Sequence, residues 1–573
     1  MSSGNGDDRL SRMRHSAAHV LATAMLDLFP DAELGIGPPT DDGFYYDFQL
    51  PRALTPDDLQ ALEASMQQHK ESNYTFEYSE HRRNEALAYF KDHNQPFKVE
   101  LVNDLPDDET ISYFTSGPFV DLCRGPHVDT TGDIGAFKLL SIAGAYWRGD
   151  EHRPQLQRVY GTAFETEEEL TAHLDRLEEA RRRDHRTLAR DLDLFSINPS
   201  VGAGLVLWHP KGAQIRELLE TYWREEHRKR GYDMVYTPHI GRRELWETSG
   251  HTQWFADGLF PEMELEHQTF INKPMNCPFH VQIYASQTRS YRDLPLRFGE
   301  LGTVYRFERS GTLHGALRVR GLTQDDAHIF CRQDQFADEV SGALDLAKSV
   351  YSTFGFDNYK VDLSVRDTAG QGKFVGSDDL WGLAEQGLID ALERHGIPYD
   401  RVEGEAAFYG PKIDIQVADA IGRMWQLTTI QVDFNLPERF DISYEAEDGT
   451  RKRPVMVHRA IFGAMERFFA VLTEHFAGAF PVWLAPVQVV VIPIADRHVP
   501  YCTDVANRLI DAGLRVDIDQ RAERMNRKIR DAQLQKIPYM LIAGDRDIEA
   551  AQVSVRLRTG GDVGGQSVEQ FLT

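Results

Sequence analysis

At 573 residues the chain is too long for one compact core, and a soft prior of about 100–200 residues per domain predicts three or four. Its 63 Lys and Arg against 89 Asp and Glu leave a net charge of −26, which excludes a protein that coats nucleic acid or an anionic membrane through its overall field. Four cysteines are too few for a disulfide framework and fit a reducing compartment.

The opening stretch MSSGNGDDRLSRM has no apolar signal core, so neither secretion nor organelle targeting is expected. In LSRMRHSAAHVLATAMLDLF, the apolar positions Val20, Leu21, Ala24, Met25 and Leu28 recur at helical spacing, with Ser11 as the expected cap. The glycine- and proline-rich strings GIGPPTDDGFYYDF and FTSGPFVDLCRGPHVDTTGDIG then predict loops and short strands, giving an α+β domain over 1–164. Between 165 and 193 acidic residues precede basic ones, the order a helix dipole favours, and one long connector helix is expected.

From 194 to 481, polar helices alternate with runs rich in β-branched and aromatic residues, such as GTVYRFER, KIDIQVA and RMWQLTTIQVDF. Several of these runs follow one another without the helix that a parallel crossover needs, so a largely antiparallel sheet is predicted. Over 482–573 the strings VQVVVIPI, LRVDID, YMLIAG and VSVRLR alternate with helices at 505–512 and near 524–535, which predicts a small, mostly parallel α/β domain. The longest apolar run, 480–495, contains three prolines and is shorter than the about 20 residues of a spanning helix; a cytoplasmic protein without membrane contact is expected.

Two familiar chemistries are missing. AGQGKFVG lacks the hydroxyl residue after Lys373 that a phosphate loop needs, and H-S-A-A-H at His15 and His19 lacks the glutamate of a zinc protease helix. The sharpest constellation is GELGTVYRFERSGTLHGALRVRGLTQDDAHIF at 299–330, a strand, an arginine-rich loop and a returning strand. Arginines so placed can neutralise a triphosphate bidentately, whereas an isolated R-x-E would be no more than a solvated loop.

With HRAIFGAMERFFAVL downstream and NKPMNCPFH upstream, this string resembles motifs 2 and 3 of the class II aminoacyl-tRNA synthetases, and within that class the threonyl-tRNA synthetases. HSAAHVLA, GFYYDF, DLCRGPHV, FYGPKID, IQVDFNLP and LAPVQVVVIP extend the resemblance over nearly the whole chain. It implies an enzyme that uses ATP with Mg²⁺ to activate L-threonine and loads it onto tRNA(Thr), working as a homodimer through a motif 1 around YDMVYTPHI. Arg306 would grip the α-phosphate and the carboxylate being activated, Glu308 would read the adenine amino group, Arg318 would hold the γ-phosphate, and Arg467 would complete the clamp.

The same resemblance implies that Cys277, His328 and His458 bind one Zn²⁺, which holds the threonine amino and hydroxyl groups, among Gln324, Asp326, Tyr409 and Gln431. Taken singly, each of the three would read as a core residue. Valine lacks the hydroxyl and should be rejected by about 10⁴ or more, but serine differs by one methyl, worth only about 10–200-fold, so a hydrolytic second sieve is expected. His15, His19, Cys123 and His127 would by chemistry alone be a zinc site; the resemblance implies instead an editing site that works without metal, with Tyr46, Lys98 and Asp121 as partners.

In the last domain, which resembles the anticodon-binding domain of these enzymes, Arg521, Arg524, Arg527, Lys528 and Arg530 would meet phosphates or form a solvated helix face, and Arg556 would reach a base edge. The sequence departs from the family at Leu322, where phenylalanine usually stacks on adenine, at Phe279 and at Ala522, and it is expected to lack a small N-terminal domain present in most bacterial members. The rival readings are a catalytically silent RNA-binding regulator and a synthetase for another amino acid, such as proline.

Overall fold

The computed structural model describes residues 4–106, 109–150, 152–367 and 374–573, so Lys373 and most of its string lie outside the described residues. Two compact units divide the chain, 1–178 and 179–573. In the first, α1 (Gly4–Leu28) buries Ala17, Val20, Leu21, Ala24 and Met25 against Phe44, Tyr46 and Phe48 of β1 (Gly43–Gln49). Ser11 is inside α1 and not its cap, because the helix already begins at Gly4.

Further along come α2 (Pro56–Glu71), β2 (Phe76–His81), α3 (Pro96–Asp104), β3 (Ile111–Ser116), β4 (Phe119–Leu122), β5 (Ala136–Tyr146) and β6 (Gln155–Phe164). Strands β1, β6 and β5 are antiparallel neighbours in one sheet, and β2, β3 and β4 form a second antiparallel sheet.

The connector is two helices and not the single one expected. α4 (Glu167–Arg183) stops at Asp184, whose φ of −51° and ψ of 119° are not helical and whose side chain accepts from the Arg186 N–H at 2.8 Å, starting α5 (His185–Leu192). An aspartate that captures a backbone donor of the next turn is a cap, and it breaks the run at that point. α5 also buries His185, Leu188, Ala189 and Leu192, so it is an amphipathic element of the second unit's core.

After α6 (Pro210–Lys229) and β7 (Asp233–Met234) come α7 (Cys277–Ala285), β8 (Leu296–Tyr305), β9 (Gly321–Cys331), α8 (Phe336–Phe354), β10 (Tyr359–Val365), β11 (Asp400–Glu403), β12 (Lys412–Ala418), β13 (Met424–Asp433), β14 (Val455–Ala464) and α9 (Met465–His475). The strands form an eight-stranded sheet in the order β7-β8-β9-β14-β13-β12-β10-β11. Only the edge pairings β7/β8 and β10/β11 are parallel; the pairings between them are antiparallel, as predicted. Alternation sends Ala327, Ile329 and Cys331 of β9 into an apolar core with Val340, Leu344 and Ala347 of α8. Gln324, Asp326 and His328 therefore share the other face.

Between β9 and β14 the register jumps from Gln324↔Ala464 to Asp326↔Ala460, so β14 has a bulge. The buried carboxylate of Asp325 accepts from the N–H groups of Ile461 at 2.9 Å, Phe462 at 2.9 Å and Gly463 at 2.9 Å, and from Trp223 Nε1 at 3.2 Å. Gly463 takes φ +78°, which an L side chain adopts only with strain.

The C-terminal part holds β15 (Val489–Pro493), α10 (Val499–Asp511), β16 (Val516–Ile518), α11 (Met525–Leu534), β17 (Tyr539–Ala543), β18 (Val553–Leu557) and β19 (Asp562–Gln566). Its sheet runs β16-β15-β17-β18-β19, parallel in the first two pairings and antiparallel in the last two, so it is mixed and not mostly parallel. Residues 544–552 are fewer than the dozen or so that a parallel crossover needs, and the chain returns as an antiparallel neighbour.

Candidate active site

A cleft of about 290 Å³ opens on the polar face of β9, β13 and β14, and its lining includes Arg306, Arg467, Gln324, Asp326, Tyr409 and Gln431. Register explains how residues far apart in sequence meet there. His328 faces His458 across β9/β14, and His458 faces Gln431 across β14/β13. Cys277, at the start of α7, joins the two histidines so that one donor atom from each lies within 4.8 Å of the others.

A thiol and two imidazoles, largely buried, make a donor set suited to Zn²⁺ with a position left for substrate. The surrounding hydrogen bonds fit as well. His328 Nδ1 meets His280 Nδ1 at 2.8 Å, His280 Nε2 meets Glu300 Oε2 at 3.2 Å, and His458 Nε2 meets Asp433 Oδ2 at 2.9 Å. His328 and His458 are thus each oriented through one nitrogen, leaving the other for a ligand. Burial, then the neighbouring His280 and His458, hold His328 well below its ordinary value and neutral, the form a metal needs; burial pushes the Cys277 thiol well up.

Beside this set, Asn276 Nδ2 donates to Asp326 Oδ2 at 3.0 Å, and Asp326 Oδ1 stays 3.7 Å from His328 Nε2. Burial lowers the guanidinium of Arg306 from its ordinary value, with Arg467 adding to the effect, and burial followed by Arg318 does the same at Arg467. Two buried guanidinium groups lining one cleft mark a place where an anion belongs. Glu308 and Arg318 pair with each other, Nε to Oε2 at 3.0 Å. Arg318 is half exposed, so the pair is worth about 0–1 kcal/mol and a ligand can open it. Leu322 lines the cleft; Phe279 is set 5.7 Å from the ring of Trp246.

The first unit has its own cluster, with donor atoms of His15, His19, Cys123 and His127 within 4.8 Å of one another, a set that could also hold a metal ion. Cys123 Sγ lies 3.4 Å from His15 Nε2 and 3.3 Å from His127 Nε2. Ser16 donates its hydroxyl to the Arg12 carbonyl at 2.9 Å, so His127 Nδ1 donates to Ser16 Oγ at 3.0 Å; His15 Nδ1 donates to the Pro126 carbonyl at 3.1 Å. Both Nε2 atoms therefore face Cys123 as lone pairs. Burial lowers all three histidines, His19 and His127 far below the ordinary value, and pushes the Cys123 thiol up to about 12.

Next to it, Lys98 Nζ meets Asp121 Oδ1 at 2.5 Å and donates to Tyr46 at 3.0 Å, while Tyr46 donates to Asp121 Oδ2 at 2.6 Å; all three are buried. His19 Nε2 is 3.9 Å from Asp121.

In the C-terminal part, Arg556 on β18 is half-buried. Of the basic residues around α11, Lys528 is not offered to a polyanion: it is buried and donates to the carbonyls of Pro493 and Asp519. Arg521 is paired with Asp519 and Asp531, and Arg527 with Glu523, leaving Arg524 and Arg530 exposed; Ala522 is also exposed.

Sequence reasoning missed Asp325, Asn276, His280, Asp433 and Ser16. His280 follows Cys277 by one helical turn, Asp433 is inside IQVDFNLP, and Ser16 sits between the two histidines of α1, so each was in a quoted string without a role.

Comparison with known proteins gives three family matches: "tRNA synthetase class II core domain (G, H, P, S and T)" over 262–476, "Anticodon binding domain" over 488–573, and "Threonyl and Alanyl tRNA synthetase second additional domain" over 112–160. The threonine–tRNA ligase of Acidobacterium capsulatum is 54% identical over 566 residues, covering 99% of this chain and 83% of that protein. That of Dehalococcoides mccartyi is 55% identical over 551 residues, covering 96% and 94%. Among solved structures, the RNA binding domain of threonyl-tRNA synthetase from Cryptosporidium parvum Iowa II superimposes with a TM-score of 0.65 at 38% identity, over 68% of this chain and 96% of that one.

Proposed function

The chain belongs to the threonine–tRNA ligase family, and from that premise we propose that it activates L-threonine with ATP, loads it onto tRNA(Thr), and hydrolyses mischarged Ser-tRNA(Thr) in its first unit. The observation that carries this reading is one cleft in which Arg306 and Arg467 stand beside a buried Cys–His–His set. Arg306 and Arg467 orient the α-phosphate against the threonine carboxylate, Arg318 leaves Glu308 for the γ-phosphate, and Glu308 turns to the adenine amino group. A carboxylate oxygen then attacks the α-phosphorus, pyrophosphate leaves, and the mixed anhydride forms; a terminal ribose hydroxyl of the tRNA next attacks the carbonyl carbon and AMP leaves. Preorganised cations stabilise the added charge, Mg²⁺ accompanies ATP, and no protein nucleophile is needed.

We assign Cys277, His328 and His458 to one Zn²⁺, which when bound supplies a Lewis acid for the threonine amino and hydroxyl groups. Asp326 accepts the hydroxyl hydrogen, with Gln324, Tyr409 and Gln431 around it. Valine leaves the cleft-facing oxygen of that carboxylate without a partner, whereas serine satisfies it. For the serine error we assign the first unit, where neutral His15, His19 and His127 orient a water, Asp121 holds the serine amino group, and Tyr46 and Lys98 fix Asp121.

The corresponding domains are 1–164 for editing, 165–193 as connector, 194–481 for activation and 482–573 for the anticodon, with Arg556 at a base edge. Exposed Tyr236 (79%) and Ile240 (42%), which follow edge strand β7 in the chain, support a homodimer; we place the enzyme in the cytoplasm, and among the described residues no helix is long and apolar enough to cross a membrane.

Pyrophosphate exchange tests this directly. Threonine should stimulate it and proline should not; stimulation by proline alone, or by no amino acid, would favour the rival readings. His15→Ala should leave exchange intact and let seryl-tRNA(Thr) accumulate, and equal seryl product from both proteins would remove the editing assignment.

A further inference from the structure

His185 opens α5, far in sequence from the arginine loop at 306–320, yet it is bonded to that loop. Its side chain is fully buried. Nδ1 meets Glu474 Oε1 at 2.7 Å, and its own backbone N–H donates to the same oxygen at 3.1 Å. A carboxylate oxygen only accepts, so Nδ1 carries the proton and Nε2 is left as a lone pair. Into that lone pair the Ala316 N–H donates at 3.1 Å.

The contact is at the loop's tip, where space is tight. Ala316 is fully buried, and Gly315 before it has φ +49°; a Cβ there would stand 2.0 Å from His185 Nε2. The next residue, Leu317, offers its carbonyl to Arg467 Nε at 3.2 Å, and Arg318 follows. Two adjacent residues of the loop are thus gripped, one by the connector and one by the α9 arginine.

The same side chains, Asp184, His185 and Glu474, have donor atoms close enough to hold a metal ion. Those atoms are already used: Asp184 accepts from the Arg186 backbone and guanidinium, Glu474 accepts from His185 and Arg423, and both nitrogens of His185 are engaged. The cluster is a hydrogen-bonded hub.

We propose that His185 is a positioning residue for ATP: by accepting the Ala316 N–H it holds the arginine loop so that Arg318 and the Leu317–Arg467 contact are in place before the nucleotide arrives. The inference rests on the reading of the cleft as an ATP site. Its support is a single accepted hydrogen bond, whose loss is expected to change affinity by about tenfold.

Two variants separate the two ends of the ring. His185→Asn keeps a donor for Glu474 and lacks the reach to Ala316, whereas His185→Gln keeps an acceptor at the Nε2 position and lacks the donor to Glu474. In threonine-dependent pyrophosphate exchange, His185→Asn should raise the KM for ATP about tenfold with the KM for threonine within twofold of the parent, and His185→Gln should keep the KM for ATP within about threefold. Hydrogen exchange of peptides spanning 313–320 should quicken in His185→Asn more than in His185→Gln. Equal rises in both KM values, an unchanged KM for ATP in His185→Asn, or loop exchange that does not distinguish the variants would overturn the proposal. Absence of threonine-dependent exchange in the parent would instead defeat the functional reading, and hydrogen exchange would still report on the loop.

Discussion

Asp326 gives one oxygen to Asn276 and turns the other towards the cleft, beside the imidazole of His328. A substrate hydroxyl placed there replaces water; a methyl in its place strands a charge. Asp326→Asn keeps the shape and removes the charge, so discrimination of threonine over valine in exchange should fall by about 10²-fold or more. Cys277→Ala should reduce zinc from one atom per chain to none by elemental analysis and abolish exchange, whereas retained stoichiometric zinc would remove Cys277 from the ligand set. Neither residue announces itself by spacing. Cys277, His328 and His458 were legible only through the resemblance of whole strings, because what unites them is cross-strand register, which pairs positions 130 residues apart without a local trace. His280 and Asp433 stayed hidden for a related reason: their roles exist only once the imidazoles they orient have been brought to them.

The helices and strands were more readable than the seams between them. Runs of β-branched and aromatic residues gave the antiparallel sheet, and the arginine loop between β8 and β9 was visible as a hairpin. The bulge in β14 was not, since its stabiliser is a side chain on the neighbouring strand. Asp325 is fully buried and accepts from four donors; burial raises its carboxyl to about 6, against the pull of Arg459 and the bulge N–H groups. Asp325→Asn would turn an amide donor against those N–H groups. The expected loss is on the order of 3 kcal/mol, measured by urea unfolding, with a fall in exchange because Gln324 and Asp326 flank the site of the shift. The connector's break at Asp184 and the turn of the C-terminal sheet to antiparallel pairing escaped sequence reasoning because one capping bond decides the first and connection length the second.

On the scale of the whole molecule, burial holds several histidines neutral in both units: His15, His19 and His127 in the first, His227 and His251 in the second, with His251 lowered to about 4. Their folded values lie below the 6.5 of the free side chain, so in acid the unfolded chain takes up protons that the folded one refuses. Stability from this source is untouched at about pH 7.5 and falls as pH drops through 6.5 towards the folded values, by up to about 1.4 kcal/mol per pH unit for each such histidine. Calorimetric melting should therefore drop steeply between about pH 7 and 5.5; a flat profile would mean that these imidazoles are accessible to protons in the folded state.

Lineages commonly retune a pocket by lengthening or trimming loops, and the wall that carries His328, His458 and Gln431 closes that route. Losing or gaining one codon within β13 or β14 would reverse which side chains point outwards along the rest of the strand, emptying the pocket and pushing polar groups into the hydrophobic interior at once. A change of preferred amino acid must then come through exchanges at fixed positions, so the length of these strands should be the slowest-drifting property of the gene.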